Sequence, residues 1–559
     1  MYTEMKRKSF QHKWSILVYL LLPIIGGGWV GVFTSCDNYL DTLPDNRAEL
    51  NTEDNIEKML TYAYTTASFQ LITEFMSDNV DDYGANNPNS DRFIEQVFGW
   101  QDVTEADNES PERVWEGCYS AIAHANHALE AIDALQEQQG TLSTALRQAR
   151  AEALMCRAYH HFILVNIFCQ HYHPATAATD LGIPYVTRPE TVVGQTYERG
   201  TVAQVYQLID QDLQAALPFV GDTYMTVPKY HFNPQAAYAF ACRFYLFYEQ
   251  WEKARQYADL CLGSQPQSLL RDWQYVASLT QQVTAITQHY IDASLNCNLL
   301  LMTGYSKMGL AFGPYSVYSR YAHGNYLATQ EDGNAVNIWG GPQNKSGINV
   351  YYSNMKVYSA TNMDKTIFWK LPYLFEFTDA VAGTGYYHTV FPVLTADECL
   401  LNRAEALTML GRYDDAAADL NLWMNNILKA SEVNLTLTPD TIQRFYAQTP
   451  YSYEVTEADP QGLRGTVKKH LHPAFDIGPE GGLRECMLQC VLGFRRIETL
   501  QMGLRWFDVK RYGIEVKRRV MDAAGNPTRQ TDLLTATDLR RATQLPLKTR
   551  QAGMVPNPR

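Results

Sequence analysis

Positive charge is scarce in this chain of 559 residues, which carries 46 Lys and Arg against 60 Asp and Glu for a net charge of -14. Its basic clusters, such as Lys517-Arg518-Arg519, are too short to face a phosphate backbone, which argues against nucleic acid as a partner. Cysteines lack a pattern: nine of the ten follow Cys36, an odd number without regular spacing. Cys118, Cys156, Cys242 and Cys399 fall inside apolar helical patterns and read as buried thiols. Cys486 and Cys490 stand one helical turn apart and could join His470 or His472 on a metal, but a second pair of zinc-site spacing is missing. The G-x-S-x-G elbow, the H-E-x-x-H helix, the phosphate loop and the dinucleotide fingerprint are all missing, so the residues offer no catalytic signature and no cofactor is expected. A surface glycoside hydrolase stays open as an alternative, because the spacing of its two carboxylates belongs to the fold. Beyond the N-terminal region no stretch is long and apolar enough to span a bilayer, which takes roughly 20 residues.

What is present begins with an address. Lys6, Arg7, Lys8 and Lys13 precede an uncharged stretch from Trp14 to Ser35, whose strongly apolar part, Ile16 to Ile25, is short and contains Pro23. That is the layout of an export signal. Val32-Phe33-Thr34-Ser35 then runs into Cys36 and the polar Asp37-Asn38-Tyr39-Leu40-Asp41, as in a lipoprotein cleavage box. Residues 1–35 are therefore expected to be a signal peptide and Cys36 the lipidated N-terminus. Each buried acyl methylene contributes about 0.8 kcal/mol, so several chains anchor a domain to membrane lipid without a spanning helix.

Along the remaining chain, apolar residues recur at steps of three and four. Trp115, Cys118, Ile122, Leu129 and Ile132 form one such face, and similar faces occupy 145–169, 201–217, 234–248 and 396–410. Two helix pairs joined by very short turns look like tetratricopeptide hairpins: the pair around Leu410-Gly411-Arg412-Tyr413 and the pair around Trp251. Between them, Tyr305 to Phe391 differs in kind: 18 of its 87 residues are Phe, Tyr or Trp, against 12% overall, and Gly and Pro interrupt it often. The expected fold is mostly α, a scaffold of helical hairpins over about 37–300 and 393–430, with an irregular aromatic insertion of loops and short strands over about 301–392.

Several segments, in order, resemble the SusD/RagB family. They are the box ending Ser35-Cys36, the run Arg150-Ala151-Glu152-Ala153-Leu154-Met155-Cys156-Arg157-Ala158-Tyr159, Gly182-Ile183-Pro184-Tyr185, the hairpin at Arg403, and Gly503-Leu504-Arg505-Trp506-Phe507-Asp508-Val509-Lys510-Arg511-Tyr512 within a C-terminal signature over 490–559. The resemblance implies a single SusD-like domain over 36–559, built on tetratricopeptide-like units. It further implies a non-catalytic, surface-exposed outer-membrane lipoprotein that binds an oligosaccharide, or alternatively a peptide. The implied partner is a SusC-like TonB-dependent transporter, which receives the ligand.

Two segments poor in helical pattern carry the candidate ligand residues. The early loop supplies Tyr83 and Asn86, with Trp100 beyond it; the aromatic insertion supplies Tyr315, Tyr318, Tyr321 and Trp339. Rings present an apolar face to a sugar while their OH or NH finds polar partners, and amides donate and accept at once. Many of these rings could equally pack loops onto helices. The oxygen-rich run from Asp78 through Asp81, Asp82, Asn86 and Asn87 to Asn89 could instead hold calcium, although it lacks the EF-hand pattern. His160 and His161 are neighbours on a helix and read as structural, and Arg505, Trp506 and Asp508 are expected to serve the fold.

Overall fold

Side chains that replace a missing backbone partner mark most helix starts. In a computed structural model that describes residues 50–559 except 86, 88–89, 192–194, 314–318, 354–355 and 361–362, Thr52 caps α1 (Glu53–Leu60). The expected signal peptide and Cys36 lie outside the described residues, as do Asn86, Tyr315 and Tyr318. After α2 (Gln70–Met76), Asp91 caps α3 (Arg92–Phe98) by accepting from the Ile94 N–H at 2.8 Å. Ser110 and Pro111 start α4 (Pro111–Gln139), Ser143 starts α5 (Thr144–Phe168), and Thr201 with Gln204 closes a capping box on α6 (Val202–Ala216). These three pack side by side, and buried Ala125, Ala128, Ala149, Ala153 and Ala158 let the backbones approach.

Both predicted hairpins form. Helix α7 (Pro234–Phe247) turns into α8 (Trp251–Leu262) through a link in which Glu249 takes a φ of 58°. Two short helices, α9 (Trp273–Ser278) and α10 (Val283–Tyr290), then lead to the insertion. Beyond it, α13 (Ala396–Met409) turns into α14 (Tyr413–Ile427) at Gly411, whose φ of 75° only glycine adopts freely. Buried Ala404 and Ala416 permit the close crossing, and half-buried Tyr413 packs against the core. Helix α13 also lies on α7, α8 and α16 (Leu483–Thr499), and α15 (Pro439–Gln448) packs on α16 in turn.

The insertion contains strands, as expected, but also two helical turns, α11 (Met308–Phe312) and α12 (Asn325–Gln330). Strand β2 (Asn298–Tyr305) pairs antiparallel with β7 (Thr384–Thr395), which pairs with β6 (Leu374–Asp379); β4 (Lys356–Ala360) and β5 (Met363–Ile367) make a separate hairpin. A further sheet joins distant parts of the chain in the order β3-β1-β8-β9. Here β1 is Asp81–Asp82, β3 is Tyr321–Ala322, β8 is Val516–Met521 and β9 is Pro527–Leu534. Local periodicity gave no sign of this sheet.

Charge pairs inside the protein tie α17 (Arg505–Arg511) to the scaffold. Glu405 of α13 accepts from Arg495 at 2.5 Å, Arg511 at 2.6 Å and the Tyr512 hydroxyl at 2.7 Å. Burial alone would raise this carboxyl, but the two guanidiniums outweigh it and hold it at about 2. Arg495 also forks onto Asp508 at 2.9 and 2.6 Å, and Trp506 is fully buried. Residues Arg505, Trp506 and Asp508 thus serve the fold, and all three are buried.

Candidate functional site

The early loop is fixed by three carboxylates, each held by one arginine from far along the chain. Asp78 accepts a fork from Arg505 at 2.8 and 3.0 Å, Asp81 one from Arg519 at 2.9 Å on both arms, and Asp82 one from Arg320 at 2.9 and 3.0 Å. Burial works to raise the Asp78 carboxyl, yet Arg496 and Arg505 hold it well below the usual carboxylate range. These oxygens are committed to guanidinium groups, which takes the three carboxylates of the run away from the calcium reading. Among the described residues, no group of three His, Cys, Asp or Glu side chains is placed to hold a metal. Cys486 and Cys490 are buried, His470 stacks on Tyr451, and burial lowers His160 to about 4 and His161 to about 3, so both are neutral at pH 7.

The forks place β1 between β3 and β8, with Asp82 opposite Tyr321 and beside Val520. The early loop and the aromatic insertion therefore meet. Beside this joint opens a cleft of about 320 Å³. Phe75 of α2, Phe93 and Ile94 of α3 and Leu310 of α11 make its apolar wall, while Asp91, Lys307 and Ser319 add polar groups and Tyr321 completes the lining. Lys307 is turned toward Asp107 at 2.7 Å. Beneath it, Glu109 accepts from the Lys307 N–H at 2.7 Å and from the Ser68 and Ser306 hydroxyls at 2.9 and 2.5 Å. Burial raises this carboxyl to about 7 against those three donors. A mostly apolar cleft with a few placed polar groups is how proteins orient small organic ligands.

The predicted site residues divide. Tyr83 and Tyr321 come together at the β1–β3 joint. Tyr83 packs with Ala322, Met521 and Tyr326, and its hydroxyl lies so near Gly324 that a Cβ there would sit 1.6 Å from it. Tyr321 is largely buried and stacks on Phe98 at 4.2 Å. Trp100 and Trp339 require correction as platform rings. The Trp100 indole is buried, donates to the Met76 carbonyl at 2.9 Å and carries the Arg518 guanidinium 3.9 Å above its ring. Trp339 packs against Phe494 of α16 at 5.3 Å and edge-on to Tyr351. The Trp100 ring is used up in packing, and Trp339 is half-buried and does not line the cleft. Asp91 and Ile94 went unnoticed, although the cap signal of Asp91 ahead of Arg92-Phe93-Ile94 was legible.

Residues 38–246 match a SusD-like family described as starch-binding and associating with the outer membrane. No curated protein matches the chain. Solved structures share its fold over nearly the whole length. A SusD superfamily protein of Bacteroides thetaiotaomicron is 18% identical with a TM-score of 0.58, covering 91% of this chain and 100% of its own. A SusD-like carbohydrate binding protein of Bacteroides vulgatus is 15% identical with a TM-score of 0.53, covering 90% and 96%. A SusD superfamily protein of Bacteroides fragilis is 15% identical with a TM-score of 0.57, covering 90% and 98%. The family match covers 209 of the 559 residues, and over about nine-tenths of its length the chain is similar in fold to the SusD superfamily structures.

Proposed function

We propose that this protein captures a neutral oligosaccharide at the outer surface of the outer membrane, held there by lipid on Cys36, and passes it to a SusC-like TonB-dependent transporter. The observation that carries the ligand class is the cleft itself: apolar and aromatic walls, a volume of about 320 Å³ and few charges. Such a wall suits the apolar face of a sugar ring, with hydroxyls turned to Asp91, Lys307 and Ser319. The family description and the carbohydrate-binding relative support the same class. Among the described lining residues Asp91 is the one carboxylate, so the paired acids of a glycoside hydrolase lack their second member here. The ligand contact proposed at the joint is Tyr321, backed by the packed Tyr83, with Asn86, Tyr315 and Tyr318 proposed from the sequence that leads into Ser90 and Ser319 of the lining.

The test is an array of glycans and peptides probed with residues 37–559, followed by calorimetry at low and high salt. Capture of a neutral glycan with affinity unchanged by salt is expected. Capture of peptides alone would overturn the ligand class, and release of shortened sugars would bring back the hydrolase.

A further inference from the structure

The β6–β7 hairpin carries an aromatic ladder that the cleft does not use. Tyr373 and Tyr387 stack at 4.4 Å with planes 13° apart; Phe375 meets Tyr387 edge-on at 4.8 Å, and Phe377 meets Phe375 at 4.9 Å. Register puts them on one face, since Phe375 lies opposite Tyr387 and Phe377 opposite Gly385. Gly385 is needed there because a Cβ would sit 2.0 Å from the Glu376 carbonyl and 2.9 Å from the Phe375 ring. The rings are thus locked against one another before any ligand arrives. Yet Phe377 is 59% and Tyr387 42% exposed. Locked, exposed aromatic rings on a soluble face are costly to leave uncovered.

We infer that this ladder is a second sugar-stacking subsite, which takes the distal units of an extended, neutral glycan whose end lies in the cleft. The inference rests on the capture function proposed above. Continuity carries it: α11 forms one wall of the cleft through Leu310 and Ala311, and its Gly309 is pressed against Pro372 and Tyr373, where the ladder begins. The Ser306 N–H, just before α11, donates to the Tyr387 carbonyl at 3.2 Å. Charge and size narrow the occupant. Glu376 lies opposite Tyr386, on the other face of the hairpin, so the ladder face carries no charged side chain between Tyr373 and Phe377. Four residues of strand extend about 13 Å, and two strands give a strip of well under 200 Å², far short of the roughly 800 Å² that each partner buries in a stable protein interface. A chain of flat, uncharged rings fits such a strip.

The experiment compares Phe377→Ala and Phe377→Trp with Ala311→Trp, which fills the cleft. Each is titrated with two-unit and eight-unit α-linked and β-linked glucans, mannans and xylans. Phe377→Ala should weaken the eight-unit chain by about 3- to 10-fold and leave the two-unit chain unchanged, while Phe377→Trp holds or tightens the long chain. Ala311→Trp should lose both lengths. Equal affinity of Phe377→Ala for the long chain would overturn the second subsite and leave the cleft standing. Binding that survives Ala311→Trp would overturn the cleft reading alone, and absence of any glycan binding by the unaltered protein would overturn both.

Discussion

Removing the charge of Asp78 should destabilise the protein by a predictable amount. Its side chain is almost wholly buried, faces Arg505 in a fork, and has Arg496 at 3.6 Å and Lys469 at 3.9 Å. Asp78→Asn keeps the shape but leaves this cationic group short of one negative charge in a water-free setting. Breaking a buried pair in this way costs about 3–5 kcal/mol. At about 2.1 cal/mol/K per residue, a domain of this size unfolds with roughly 1 kcal/mol/K of entropy, so the midpoint should fall by about 3–5 °C in a calorimetric scan. The exposed pair Asp440–Arg444 supplies the control, and Asp440→Asn should stay within about 0.5 kcal/mol. Because the folded carboxyl is held below its unfolded value, its stabilisation is complete above about pH 4 and is lost only as pH falls through the folded value. The deficit of Asp78→Asn should therefore be the same at pH 7 and pH 5. A deficit under 1 kcal/mol, or one that vanishes by pH 5, would refute the clamp.

Glu109 predicts the opposite pH slope. Its carboxyl is raised to about 7, so the native state holds a proton that the unfolded chain has released, and this group lowers stability as pH rises from about 4 to 7. Glu109→Gln should reduce the loss measured by urea unfolding between pH 5 and pH 8 by on the order of 1–3 kcal/mol, and an unchanged slope would count against it. Trp506→Ala and Trp100→Ala should each cost about 3–5 kcal/mol in the same assay, and at temperatures where the variant is folded glycan affinity should be unaltered. Affinity lost without stability would restore Trp100 to the ligand site. Cys36→Ala should abolish lipid attachment, read as a mass change and loss from the membrane fraction, since only the thiol accepts the diacylglycerol.

Helices and hairpins were legible because their signals are local. Thr52, Ser110, Ser143 and Thr201 sit at the helix starts they cap, and Gly411 sits where α13 must end. Rings were harder to assign, because the same Trp serves a ligand or a core depending on what lies above it. For Trp100 that is Arg518, more than 400 positions away, and for Trp339 it is Phe494. The acidic run from Asp78 to Asp82 misled for the same reason. Its partners are Arg505, Arg519 and Arg320, which lie 427, 438 and 238 positions off, and no periodicity reports such pairs.

Those forks also explain how a strand of two residues is held in register. Strand β1 has too few ladder hydrogen bonds to fix its own position between β3 and β8. Successive side chains on a strand point to opposite faces, so Asp81 reaches Arg519 on one side and Asp82 reaches Arg320 on the other. A slip of one residue would turn each carboxylate away from its guanidinium and leave Arg519, which is almost fully buried, without Asp81. The charge pairs thus select one register where backbone pairing alone could not. That register sets Tyr83 beside Ala322 and Asp82 opposite Tyr321, and so determines which edge the aromatic insertion presents to the cleft.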